Sequence, residues 1–303
     1  MGNLKHVAGG EISLRGDQLT LPNPLPLPAQ RIRLATPYAV RGHMNYCTFC
    51  YTAAFWGWPE WERDIDRMAM NGVNTPLMAV GNEQVWQNTL RRLGYREEDI
   101  ARFIPGCAFT AWWLMGNLEG EGGPVSQAMM DRETALAQKI LARMRAYGME
   151  PIQQGFCGLV PTTFSAYFPA AKVIPQGQWA GGYVRPSVLS PLDQMFPQVA
   201  AIWHQEQEKL YGKAKYFGGD LFHEGGAFRW VGPGRMFPGG AVGATAAPSR
   251  GRVGVARLER EPQSPTPGGH GSGPCTGAAV EWLPGSNLPR RISGPSVDLC
   301  QRQ

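Results

Sequence analysis

Tyr216-Phe217-Gly218-Gly219-Asp220-Leu221-Phe222-His223-Glu224-Gly225-Gly226 is an aromatic run, interrupted by glycine, that ends in a carboxylate. A short apolar run bounded by glycines reads as a buried strand. The reading places a strand over Lys215 to Phe222, with Glu224 just past its C-terminal end. Period-two alternation then sends Asp220, Phe222 and Glu224 the same way. The chain before this stretch alternates between helix and strand, and the chain after it changes character.

Working back from it, Val199, Ile202, Trp203 and Leu210 form the apolar stripe of a helix from about Pro197 to Tyr211, stopped by Gly212. Before that come an irregular segment with Trp179 and Tyr183, a short helix near Thr162 to Phe168, and a strand over Met149 to Phe156. A long helix over Gln127 to Tyr147 carries Leu136, Ile140, Leu141 and Met144 and stops at Gly148. The segment Cys107 to Gly123, with Trp112 and Trp113, reads as a long aromatic loop of the kind that binds something. A short charged helix falls near Glu97 to Phe103. Asn82 is placed to cap a helix with Val85, Trp86, Leu90 and Leu93 on its apolar face. Val73 to Val80 reads as a strand. Pro59 opens and Gly72 closes a helix with Trp61, Ile65, Met68 and Ala69 on one face. Its carboxylates Glu60, Glu62, Asp64 and Asp66 read as a solvated face. Met44 to Tyr51 reads as the first buried strand.

Four strands alternating with helices, with aromatic and polar residues gathered after the strands, is the pattern of an α/β fold. A (β/α) TIM-type barrel is favoured over a doubly wound sheet because no Gly-x-Gly-x-x-Gly follows the first strand. About the first four βα units are expected to be present. Residues 1–38, with prolines at 22, 24, 26 and 28, read as the end of an N-terminal β domain and a linker, and 39–226 as the first half of the barrel.

A net charge of +5, from 29 basic and 24 acidic residues, with the basic residues scattered, argues against nucleic-acid binding. No window is long and apolar enough for a membrane span, and Met1 to Arg15 lacks a signal pattern. Six cysteines in 303 residues do not make a disulfide scaffold. Cys47 and Cys50 form a C-x-x-C, but on a strand they point to opposite faces, which argues against a metal or redox site. His43 and His204 read as ordinary linker and helix histidines.

Residues 225–303 have Gly or Pro at 26 of 79 positions, against 39 of 224 before them, with nine Arg and no Lys. Such a composition buries little apolar surface, so 227–303 is expected to be poorly structured. A flexible linker is the plain explanation. Loss of the reading frame soon after Gly226 in a GC-rich coding sequence is the sharper one.

Several stretches carry a resemblance that spacing alone could not supply. They are Asn45-Tyr46-Cys47-Thr48-Phe49, Trp58 through Asn74, Gly81-Asn82-Glu83-Gln84-Val85-Trp86-Gln87 and Ala111-Trp112-Trp113-Leu114-Met115-Gly116-Asn117-Leu118. To these are added Gly148-Met149-Glu150-Pro151, Gly158-Leu159-Val160-Pro161 and Asp220-Leu221-Phe222-His223-Glu224. In this order, over about residues 15–226, the chain resembles the alpha-N-acetylglucosaminidases of glycoside hydrolase family 89. The resemblance implies a small N-terminal β domain, a (β/α) barrel and a C-terminal helical domain. It implies retaining hydrolysis of a terminal alpha-linked N-acetylglucosamine, as on heparan sulfate or mucin-type glycans, with no metal or organic cofactor. It also implies a secreted, periplasmic or lysosomal setting.

Residue by residue, the resemblance makes Glu224 the general acid/base and places Asn45, Cys47, Trp112 and Trp179 around the sugar. His223 stands where some relatives have Asn. Such an acid needs a partly desolvated carboxyl, and Phe222 could supply apolar surroundings. A retaining mechanism takes a second carboxylate about 5 Å away as nucleophile. The carboxylates after Glu224 are Glu259, Glu261, Glu281 and Asp298, and none lies at a recognisable strand end. Two readings result: the front portion of an alpha-N-acetylglucosaminidase, or a non-catalytic remnant that is at best a weak sugar binder.

Overall fold

The computed structural model describes Glu11–Ser13, Gly16–Gln18, residues 35–219, Glu224, Gly254–Arg257 and Glu281–Trp282. In chain order the strands are β1 (Glu11–Ser13), β2 (Gly16–Gln18), β3 (Gly42–His43), β4 (Thr75–Met78), β5 (Ile152–Gln154), β6 (Leu159–Val160), β7 (Val173–Ile174), β8 (Ser187–Leu189), β9 (Tyr216–Gly219), β10 (Gly254–Arg257) and β11 (Glu281–Trp282). The helices are α1 (Tyr46–Cys50), α2 (Trp58–Met70), α3 (Asn82–Arg92), α4 (Glu97–Phe103), α5 (Thr110–Leu114), α6 (Gln127–Ala146), α7 (Phe164–Tyr167) and α8 (Met195–Tyr211).

The main sheet runs β11-β10-β9-β5-β4-β3. Its β3, β4, β5 and β9 are parallel, and β10 and β11 add antiparallel on the far side of β9. Parallel neighbours require crossovers, and α2, α3, α6 and α8 lie between successive parallel strands. The fold is therefore α/β, with a parallel sheet and helices, and the sheet is open among the described residues. A separate three-stranded antiparallel sheet, β6-β8-β7, occupies the long connection from β5 to α8.

The long helices form where their patterns and caps direct. In α2, Glu60 reaches back to accept from the Gly57 backbone N–H at 3.0 Å, Pro59 fits the first turn, and Asn71 and Gly72 (φ 77°) end it. Trp61, Ile65 and Met68 bury one face, as expected, and Ala69 packs at its edge. Ser126 caps α6 by accepting from Met129 N–H, and Ile140, Leu141 and Met144 are buried. Val199 and Trp203 of α8 are buried too.

Three expectations are corrected. Met44 to Tyr51 is not a strand: β3 stops at His43, Met44 turns with a left-handed φ of 68°, and Asn45 then caps α1. The Asn45 Oδ1 accepts from the Thr48 N–H at 3.1 Å and the Thr48 hydroxyl at 2.9 Å, and this local capping outweighs an apolar run too short to fix its own periodicity. Asn82 is not the cap of α3 but its first residue. Gly81, at φ 82°, precedes it, and the Asn82 Nδ2 donates back to Ala79 O. Asp64 is not solvated: it is fully buried, paired with Arg67 and within 3.5 Å of His43. Burial works to raise its pKa, but the bonds from His43 and Arg67 prevail and hold it below the usual carboxylate range. His43 is thus a tie between β3 and α2 rather than a linker residue. His204 packs edge-on against Trp203 and Phe217 in the interior, and burial pushes its pKa down to about 4.

The expectation for the tail lies outside the described residues except at β10 and β11, as do the linker prolines. Asp220, Leu221, Phe222 and His223 are also outside them.

The two glycines at the end of β9 have a steric purpose. A methyl at Gly218 would come within 3.0 Å of Ile152 Cγ2 and 3.5 Å of Tyr46 Oη, and one at Gly219 would overlap Cys157 Sγ. The bare backbone of β9 lets α1 approach the sheet. There the Tyr46 hydroxyl donates to Gln154 Oε1 at 2.6 Å, while Gln207 of α8 donates to Gln154 O at 2.8 Å.

Gly81 combines both uses of glycine: a methyl there would collide with Tyr211 Oη and approach Ala137 Cβ to 3.0 Å, at a φ of 82°. Gly94 has a similar φ, 83°, but open space. Gly94→Ala is expected to cost about 1 kcal/mol through backbone strain and Gly81→Ala about 2–4 kcal/mol through strain plus overpacking. Urea denaturation of the two variants measures the difference.

Candidate active site

Three segments, one following each of β3, β4 and β5 in the chain, carry the residues singled out in the sequence. The first is the turn into α1, carrying Asn45 and Cys47. The second is the Cys107–Phe109 3₁₀ turn that runs into α5 and carries Trp112. The third is a hairpin between β7 and β8, where Gln178 bridges Val184 and Gly181 and Gly182 (φ 80° and 83°) turn the chain so that the Trp179 N–H donates to Tyr183 O at 2.8 Å. In the sequence this hairpin reads as irregular because its strands are two and three residues long, too short to show alternation.

The hairpin brings Trp179 to Glu224. The indole Nε1–H donates to Glu224 Oε2 at 2.8 Å. The Trp179 ring also lies 5.1 Å from that of Trp112, tilted 35°, and 6.0 Å from that of Tyr183. Tyr51 stands edge-on to Trp112 at 6.0 Å. An aromatic row therefore runs from Tyr51 through Trp112 and Trp179 to the carboxylate. α1 packs against α5, and the Trp112 backbone N–H donates to Cys50 Sγ at 3.3 Å. Burial pushes the Cys50 thiol up to about 11, so it stays protonated at neutral pH.

Of the residues singled out in the sequence, Trp112, Trp179 and Glu224 are brought together directly. Asn45 and Cys47 join them through the packing of α1 on α5, and His223 lies outside the described residues. Asn45 is exposed, and its Oδ1 is occupied in capping α1, so its Nδ2 hydrogens are what it offers a ligand. Cys47 and Cys50 sit on a helix and share a side of it, so the strand argument against their cooperation does not hold. Among the described residues, no group of three or more His, Cys, Asp or Glu side chains is placed to share a metal ion.

Two features of Glu224 depart from expectation. Its φ of 52° is left-handed, so it belongs to a turn and not to the alternation of a strand. It is also exposed, where a desolvated carboxyl was expected. Sequence reasoning missed Arg185, which is buried and donates to the Glu224 backbone O at 3.0 Å. A lone arginine in a segment without periodicity gives no signal in the sequence.

Residues 41–232 match the alpha-N-acetylglucosaminidase (NAGLU) tim-barrel domain. The chain belongs to this family. Human alpha-N-acetylglucosaminidase is 35% identical over 224 residues, which is 73% of this chain and 30% of the human protein. A family 89 glycoside hydrolase from Clostridium perfringens, solved in complex with 2-acetamido-1,2-dideoxynojirmycin, superposes with a TM-score of 0.73 at 34% identity, over 77% of this chain and 27% of that one. The same bacterial enzyme, with two glutamates replaced by glutamine and bound to its substrate GlcNAc-alpha-1,4-galactose, gives the same TM-score and coverage. The chain thus spans a little under a third of the relatives it matches. Among the described residues no helix is long and apolar enough to cross a membrane.

Beside the site, Glu119 accepts from the Thr162 hydroxyl and from the Thr162 N–H at 3.1 Å, and burial pushes its carboxyl up to about 7. Folded Glu119 keeps its proton to about pH 7, whereas its ordinary value is 4.5. Its contribution to stability is therefore fully present below about 4.5 and is lost as pH rises through 7. His204, depressed from 6.5 to about 4, acts oppositely, contributing above 6.5 and losing its contribution as pH falls. The two offset each other in the range they share. Glu119→Gln is expected to raise stability relative to the parent by about 1–3 kcal/mol at pH 8 and by nothing at pH 4. Urea midpoints measured at intervals from pH 4 to 8 give that difference profile.

Proposed function

We propose that this site grips a terminal alpha-linked N-acetylglucosamine and that Glu224 is the general acid/base of its hydrolysis. The observation that carries the reading is the Trp179 Nε1–H bond to Glu224 Oε2 at 2.8 Å, in a chain of this family. An indole that both orients the carboxylate and presents a flat apolar face suits a sugar held against the acid. Trp112 extends that face, and the Asn45 amide and Cys47 line the approach.

The reaction class is retaining hydrolysis with two carboxylates. That the bacterial relative was bound to its substrate with two glutamates replaced supports a two-carboxylate scheme. In this scheme residues 39–226 are the first four βα units of a barrel, and 1–38 are the end of an N-terminal β domain and a linker. The second carboxylate belongs to a part of the fold beyond the resemblance. Heparan sulfate and mucin-type glycans carry the terminal sugar required. A second reading, a sugar-binding module without turnover, is favoured by the exposure of Glu224.

Release of a chromophore from an aryl alpha-N-acetylglucosaminide by the purified 303-residue chain separates the two. Turnover that falls roughly 10²–10⁴-fold in Glu224→Gln is expected if the acid/base reading holds. Turnover unchanged by Glu224→Gln overturns it, and binding without turnover selects the second reading. Trp179→Ala is expected to weaken binding of the iminosugar analogue about tenfold or more by calorimetry, from loss of the stacked face.

A further inference from the structure

Arg185 is 4% exposed, and its guanidinium joins three segments that are remote in sequence. One terminal nitrogen donates to Gly116 O at 3.2 Å and to Asn117 Oδ1 at 2.8 Å. The other donates to the backbone O of Glu224 at 3.0 Å. Asn117 is fully buried, and Gly116 turns with a φ of 75° directly after α5, the helix that carries Trp112. Next to Arg185, Val184 O accepts from the Glu119 N–H at 3.0 Å, so the segment Gly116 to Glu119 is pinned to the Trp179 hairpin at two levels. Glu224 and Met44 are the two non-glycine residues with positive φ among those described.

We propose that Arg185 is a positioning residue that fixes the left-handed Glu224 backbone, so that its carboxylate meets the Trp179 indole. The inference rests on the acid/base reading of Glu224 for its functional meaning, though its geometry stands apart from it. Two points define the orientation of the Glu224 side chain: its carbonyl, held by Arg185, and its carboxylate, held by Trp179. The same guanidinium holds the turn after α5, so the acid and the Trp112 face are set by one rigid fork. Planarity is what the role requires. A lysine ammonium is a point donor on a flexible stem and cannot reproduce both ends of the bridge.

The test uses the indole N–H resonance of Trp179 in the ¹⁵N-labelled full chain, assigned by its absence in Trp179→Phe. In the parent protein the bond to the Glu224 carboxylate is expected to set the position of this resonance, and Glu224→Gln moves it. In Arg185→Lys the resonance shifts toward its position in Glu224→Gln, while the core Trp61 and Trp203 indoles stay in place. An unmoved Trp179 resonance in Arg185→Lys overturns the proposal. Should Arg185→Lys lose the dispersion of the Trp61 and Trp203 signals, Asn117→Ala reads the same bridge with the guanidinium present but less anchored. A shifted Trp179 signal then supports the proposal, and an unmoved one overturns it. Turnover of the aryl glycoside is scored separately. A chain whose turnover ignores Glu224→Gln but whose Trp179 signal answers to Arg185→Lys overturns the acid/base reading and leaves the positioning role standing. A chain that turns over but whose Trp179 signal ignores Arg185→Lys overturns the positioning role alone.

Discussion

The close approach of α1 to the parallel sheet is the constraint on which the site depends. It exists because β9 presents backbone where other strands present side chains: at Gly218 and Gly219 a single added methyl meets Ile152, Tyr46 or Cys157. Through that gap Tyr46 reaches Gln154 on β5, and Gln207 on α8 grips the same residue from its other side. A buried glutamine with both its side chain and its carbonyl engaged is satisfied and rigid. The turn that holds Asn45 and Cys47 is thereby registered against the sheet, and α5 with Trp112 is registered against α1. The aromatic row is set by packing that begins far from it.

How far the sequence could be read depends on element length. α2, α6 and α8 were legible to within a few residues because several turns of periodicity and a terminal proline or glycine point to one answer. The parallel strands β4, β5 and β9 were legible as apolar runs between glycines or helices. Met44 to Tyr51 was not, because eight residues of apolar and small character satisfy strand and helix alike, and the deciding bond is a cap from Asn45 to Thr48. The burial of Asp64 was not legible either, since an acidic residue in a charged helix announces nothing about His43, which comes from another element.

The candidate site divides in the same way. Trp112, Trp179 and Glu224 were reachable through family resemblance, and the family match over residues 41–232 covers all three positions. Their mutual arrangement was not reachable, because the hairpin that delivers Trp179 is built from strands of two and three residues. Arg185 was invisible for a different reason. Its importance lies in what its guanidinium bridges, and those partners, Gly116, Asn117 and Glu224, stand 39 to 69 residues away.

Backbone strain and polar anchoring balance at this site. A left-handed non-glycine residue costs about 1–2 kcal/mol, and of the two such residues described, Met44 turns the chain from β3 into α1 and Glu224 ends the aromatic row. A hydrogen bond from a charged donor contributes about 1.5–3 kcal/mol, so the bond from Arg185 to the Glu224 carbonyl alone offsets the strain at Glu224. The Trp179 bond lies at the exposed rim, where water competes with it and its net worth is smaller. The carbonyl anchor therefore holds the backbone, and the indole contact is the weaker and more adjustable of the two. A rigid main chain under an adjustable carboxylate suits the acid/base role proposed for Glu224, since a transferred proton must move while the backbone stays.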